Sequence, residues 1–148
     1  MPWQGYASPY YAAEIDAAVK QISDATVAAK AAKVKDIPTF TWLDSISKVP
    51  TLETYLQDAG QKNQLLQIVI YDLPNRDCHA KASNGELLID NDGVNKYKTN
   101  YIDAIVALIK KYPQTKVVAV IEPDSLANLV TNLSDSNCQK AQQAYLVC

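Results

Sequence analysis

A chain of 148 residues with 48% apolar and 20% charged residues has the composition of one folded globular domain, large enough to bury a real core. A net charge of −2 and a pI near 5.3 provide no basic surface for nucleic acid, and no run of about 18 apolar residues exists to cross a membrane. Neither partner is expected. No secretory leader is visible, and Met1-Pro2-Trp3 reads as an artificial start or a trimmed mature end.

From Ala12 to about Lys35, Ile15, Val19, Ile22, Thr26 and Ala29 recur at steps of four and three, which predicts one long amphipathic helix ended by Pro38. Thr39 to Leu43 reads as a short aromatic strand closed by Asp44. Pro50 introduces a second helix with Leu52, Tyr55, Leu56 and Ala59 on one side, ending near Gly60. Leu65 to Leu73 is a nearly continuous apolar run, a second strand, with Asp72 near its end.

The next stretch, Pro74 to Gly93, is rich in Pro, Asn, Asp, Gly and Ser with little periodicity, and its length predicts an ordered functional loop with a turn at Asn84-Gly85. A third helix is predicted from Val94 to Tyr112, burying Tyr97, Tyr101, Ile105 and Leu108. Lys110 and Lys111 suit its C-terminal dipole, and Pro113 stops it. Lys116 to Ile121 then reads as a strand covered on both faces, halted by Pro123. A helix follows Asp124, with Leu126, Leu129, Val130 and Leu133 in helical step, and another begins near Asn137. This alternation predicts an α/β fold with a parallel sheet. Three parallel strands cannot close a barrel, and the last helix is still in step at Cys148, so residues 1–148 are expected to be the front part of a larger domain.

Each predicted strand ends in acid: Asp44, then Asp72 and Asp77, then Glu122 and Asp124. Parallel strands place all these ends on one rim. Several carboxylates beside aromatics, here Trp42 and Tyr71, with no His/Cys cluster for a metal, suit acid/base chemistry on a carbohydrate. The residues also have plainer readings. Asp124 could cap the following helix, Asp77 could pair with Arg76 or make an Asx-turn, Asp44 and Asp72 could cap turns, and Trp42 and Tyr71 could be core. His79, the sole histidine, lacks a visible triad and reads as a loop residue. Cys78, Cys138 and Cys148 are either three free thiols or include a Cys78–Cys138 bridge between two loops.

YDLPNRDC at Tyr71 to Cys78, ASNGE at Ala82 to Glu86, VIEPDSLANLVTN at Val120 to Asn132 and TFTWLD at Thr39 to Asp44 resemble glycoside hydrolase family 6, specifically its fungal cellobiohydrolases. The likeness runs from about Ser8 to the last residue. It implies a secreted, inverting cellulase that releases cellobiose from cellulose chain ends, built as a distorted, TIM-like parallel α/β barrel without cofactor or metal. By motif match, Asp124 takes the place of the general acid and Asp77 that of the neighbouring aspartate that raises its pKa. Tyr71 matches the tyrosine that favours a distorted sugar, Ser83 the serine that helps hold the hydrolytic water, and Trp42 a tryptophan lining the glycone subsites. Cys78 and Cys138 match a family disulfide, which leaves Cys148 unpaired. Asn75 stands where many members have Asp. The rest of the family's barrel, its second tunnel loop and the later aspartate proposed as base have no counterpart here, so other chains or a further C-terminal segment are expected to complete the barrel. An endoglucanase of the same family and a non-catalytic fragment or glucan-binding module are the alternatives.

Overall fold

The computed structural model describes residues 3–80 and 83–146, apart from the side chain of Asn128. Its helices and strands alternate in the order α1 (Pro9–Val19), α2 (Ala25–Ala32), β1 (Thr41–Leu43), α3 (Thr51–Gln61), β2 (Leu65–Ile70), α4 (Gly93–Lys96), α5 (Asp103–Lys111), β3 (Lys116–Ile121), α6 (Ser125–Thr131) and α7 (Ser136–Tyr145). The three strands form a parallel sheet in the order β1-β2-β3. Ile70 pairs with Leu43 on one side and with Ile121 on the other, so all three strands finish level on one rim.

The core lies on the face of the sheet covered by α3 and α5. Leu52, Leu56 and Ala59 of α3, at steps of four and three, meet Leu66 and Ile68 of β2, Tyr101, and Ile105 of α5. Gly60 lies inside α3 and is needed there for space, since a Cβ would come within 2.4 Å of Thr115 Oγ1. The helix ends one residue later, and the chain turns at Asn63, whose φ of 51° is left-handed.

Three sequence expectations need correction. The long helix expected over 12–35 is two helices. Asp24 stops the first pattern because its carboxylate accepts from the Thr26 and Val27 N–H groups at 2.8 and 3.0 Å and so starts a new helix. Lys35 pairs with Asp16 at 2.9 Å across the resulting hairpin, which buries no residue fully. The strand expected to be covered on both faces, β3, has only Val117 partly buried among its apolar residues. Val118, Val120 and Ile121 are exposed, because no described element covers them. Cys138 belongs to α7 and not to a loop.

The helix expected over Val94 to Tyr112 is present but irregular: between α4 and α5 runs a π-helical stretch, Tyr97–Ile102. Tyr97 and Tyr101 lie in it and are buried beneath the rim. Such π-turns concentrate at functional sites.

Candidate active site

The rim is fastened by two tyrosines from below. Tyr101 Oη donates to the Leu43 carbonyl and accepts from the Tyr71 N–H at 2.9 Å, joining the end of β1 to the end of β2. Tyr97 Oη donates to Glu122 at 2.9 Å. The Glu122 carboxylate also accepts from the N–H groups of Asp72 and Leu73 at 3.1 and 3.3 Å, joining β2 to β3. Burial pushes the Glu122 pKa up, and these hydrogen bonds oppose that rise. Glu122 is therefore a structural clasp of the rim.

Arg76 organises the upper layer. Its guanidinium lies 4.7 Å from the centre of the Tyr71 ring, and Nη1 donates to the Asp44 carbonyl at 2.9 Å and to the Tyr71 carbonyl. The same nitrogen is 3.5 Å from Asp72, a fully buried carboxylate that neither donor nor hydroxyl reaches by a hydrogen bond. Burial, with smaller pushes from Glu86, Glu122 and Asp44 against the pull of Arg76, raises the Asp72 pKa to about 8. Gly85 lies against this arginine: a Cβ there would come within 2.8 Å of Arg76 Cγ. The expected turn at Asn84-Gly85 has no left-handed glycine, so this glycine serves close approach and not a turn.

Above this layer, Tyr71 Oη donates to Asp77 Oδ2 at 2.7 Å. Burial raises the Tyr71 pKa, and the hydrogen bond to Asp77 and the charges of Asp77 and Asp124 raise it further, so the phenol stays a donor. The Trp42 ring meets Tyr71 edge-on at 5.4 Å. Trp42, Tyr71, Arg76 and Ser83 line a common cleft of about 280 Å³. The structure thus brings Trp42, Tyr71, Asp77 and Ser83 together, and Asp124 within electrostatic reach of Tyr71. Asp44 also lines this cleft and pairs with Lys48 at 2.6 Å.

The plainer reading of Asp124 as a helix cap fits poorly. An N-cap residue has extended backbone, whereas Asp124 has φ 67°. Among the described residues, no hydrogen bond runs from the N–H of Leu126 or Ala127 to its carboxylate. Asp77 at 50°, Asn75 at 55° and Glu122 at 47° are also left-handed, so four non-glycine residues of the rim hold backbone that costs about 1 kcal/mol or more each. Strain of this kind collects where side-chain direction matters.

The loop following β2 is held down on several sides. Cys78 is bonded to Cys138 of α7, with Cα atoms 5.1 Å apart. Lys140 pairs with Asp90 at 2.6 Å, and His79 lies 3.4 Å from Asp135. Asn75 accepts from the Ile89 N–H at 3.1 Å. Cys148 and Ala82 lie outside the described residues. Sequence reasoning passed over Arg76, Tyr97 and Tyr101 as site residues. The available signal was two tyrosines four residues apart on an otherwise apolar stripe, because a buried phenol needs a partner.

The profile of the glycosyl hydrolases family 6 matches residues 3–148. Exoglucanase 3 of Agaricus bisporus is 61% identical over 138 residues, covering 93% of this chain and 31% of its own length. Among solved structures, the CcCel6A catalytic domain complexed with p-nitrophenyl β-D-cellotrioside superposes with a TM-score of 0.92 at 52% identity, covering 97% of this chain and 41% of that one. Cellobiohydrolase II (Cel6A) of Humicola insolens, solved with glucose and cellotetraose, gives 0.88 at 41% identity, covering 97% and 42%. The parallel strands and helices described above are therefore a part of a distorted, TIM-like barrel. The chain spans about a third of the length of the curated relative, 31%, and somewhat more of the solved domains.

Proposed function

This chain belongs to glycosyl hydrolases family 6, and from that premise we propose that it is part of a cellulase that hydrolyses β-1,4-glucosidic bonds with inversion and releases cellobiose from chain ends. In this reading Asp124 gives its proton to the leaving glycosidic oxygen as the C1–O bond breaks. Water adds to C1 from the opposite face, with Ser83 helping to hold it, and loses its proton to a base outside the residues assigned here. Asp77 faces the positive charge that develops on the ring. Tyr71, fixed by Asp77, Trp42 and Arg76, presses against the sugar at the point of cleavage, and Trp42 offers the ring on which the glycone side lies. The polymer or its cello-oligosaccharides are the ligand. The Cys78–Cys138 bond suits a secreted protein. Further residues or another chain cover β3 and close the barrel.

The observation that carries this reading is the Tyr71–Asp77 hydrogen bond beside Trp42 and Ser83, with the charge of Asp124 felt at the same phenol. The test is Asp124→Asn, since Asn tolerates left-handed backbone. Cello-oligosaccharide hydrolysis should fall by about 10²–10⁴-fold while aryl β-cellobiosides with good leaving groups, which barely need the proton, are largely spared. Equal losses on both substrates would remove Asp124 as the acid. An endoglucanase of the same family remains the second reading, and it predicts internal cuts that lower the viscosity of a soluble cellulose derivative before cellobiose accumulates.

A further inference from the structure

Asp72 has no part in the chemistry proposed above, yet it is the acid of the rim with no exposed surface at all. Neither of its oxygens has a hydrogen bond among the described residues, and the buried Nε–H of Arg76 has none either. The two side chains nevertheless lie side by side, with Arg76 Nη1 3.5 Å from Asp72 Oδ1. A buried guanidinium and a carboxylate that both carry charge close to about 2.7–2.9 Å and pair their remaining donors and acceptors. This pair stands open, because Arg76 Nη1 is directed to the carbonyls of Asp44, at 2.9 Å, and of Tyr71.

The groups that face Asp72 from each neighbouring element are otherwise engaged. Asp44 after β1 pairs with Lys48 at 2.6 Å, Glu86 of the loop accepts from the Ile46 N–H at 2.7 Å, and Glu122 after β3 holds three donors. Tyr101 of the π-helical stretch has its hydroxyl between the Leu43 carbonyl and the Tyr71 N–H. Burial, and then the charges of Glu86, Glu122 and Asp44, keep the proton on Asp72 up to about pH 8, and Arg76 is the cation that opposes them. Arg76 in turn bears on Tyr71 twice, with its guanidinium 4.7 Å from the ring centre and a hydrogen bond to the carbonyl. The Trp42 ring meets the same phenol edge-on at 5.4 Å. A guanidinium drawn toward Asp72 would therefore leave Tyr71 without one of its two supports.

We propose that Asp72 is a positioning residue that acts through Arg76. While Asp72 keeps its proton, the guanidinium stays on the ring and carbonyl of Tyr71 and holds that phenol toward Asp77. When the proton passes to a base in solvent, Arg76 closes onto the new carboxylate and Tyr71 is released. As a statement about cleavage this rests on the role given to Tyr71 above. The coupling itself is read without any sugar, so failure of the coupling leaves that role standing, and failure of that role leaves the coupling standing.

In the isotope-labelled chain, the Asp72 carboxyl carbon and the Arg76 Nε–H should be followed by NMR from about pH 5 to about 9.5. Both resonances should shift together, with one midpoint near pH 8. Trp3→Phe leaves Trp42 as the sole tryptophan, and its emission should move with the same midpoint. Adding Asp72→Asn, a neutral stand-in for the protonated acid, should hold the low-pH spectrum throughout. A carboxyl that titrates near the ordinary aspartate value, an Arg76 resonance that stays fixed while Asp72 ionises, a Trp42 emission unchanged across that step, or a transition that survives Asp72→Asn would each overturn the proposal. The resonances belong to the unaltered chain and decide the question even where Asp72→Asn does not fold.

Discussion

β2 and β3 are six residues each, both nearly free of charge along their length and paired in register over all six positions, yet their environments are opposite. Leu66 and Ile68 of β2 have no exposed surface, whereas Val118 and Val120 of β3 are about two-fifths exposed and Ile121 two-thirds exposed. Composition alone therefore says that a strand is built to be buried, and the neighbouring elements decide whether it is. β2 has β1 and β3 at its edges and α3 against it, while β3 has one edge open among the described residues. An open apolar edge is where another strand or another chain pairs.

A large effect expected from probing this contrast comes from the disulfide, which ties the loop after β2 to α7, the second helix after β3. It closes a separation of 60 residues, and its reduction should cost about 4 kcal/mol in the chain-entropy account. Urea melts with and without reductant measure this, and an unchanged midpoint would mean that the two ends of the bond are held as firmly by the pairs beside it. Next, Ile68→Ala in β2 should cost about 2–5 kcal/mol, and Val118→Ala in β3 less than about 1 kcal/mol. Equal losses would show that something covers β3 in solution.

Asp72, at the end of β2, yields a pH prediction. Its pKa in the folded chain is about 8, above its ordinary value near 4, so the folded state holds a proton that the unfolded state has lost between those limits. Stability should therefore fall as pH rises from about 4 to 8, with a slope of up to about 1.4 kcal/mol per pH unit from this group. Asp72→Asn should flatten that slope in melts taken across the range. An unaltered slope would place the dependence in Glu122, whose pKa is raised as well. The smallest expected effect is Ile121→Lys, which should shift stability by less than about 0.5 kcal/mol and reduce concentration-dependent self-association in sedimentation. Undiminished association would locate the contact elsewhere.

The contrast also marks what was legible in the sequence. β-branched runs placed both strands, and the acids after them placed the rim, because strand ends are set by local signals. The motif at Tyr71 to Cys78 located the site. What stayed hidden depended on distant partners. Nothing near Val118 says that its face is uncovered, and nothing near Asp72 says that Arg76 comes no closer to it than 3.5 Å. The break between α1 and α2 was legible after all, in Ser23-Asp24 before an alanine-rich run, but the apolar steps of three and four across it matched a single helix equally well.

The π-helical stretch between α4 and α5 bears on how such a chain tolerates insertions and deletions. A π-turn carries one residue more than the α-helix it interrupts, and that residue lets one rod keep two registers, with Tyr97 and Tyr101 under the strand ends and Ile105 in the core. Deleting a single residue such as Thr99 would return this stretch to a regular α-helix and leave the flanking parts close to their present directions, so the change would fall on the π-turn itself, where Tyr97 and Tyr101 meet the strand ends.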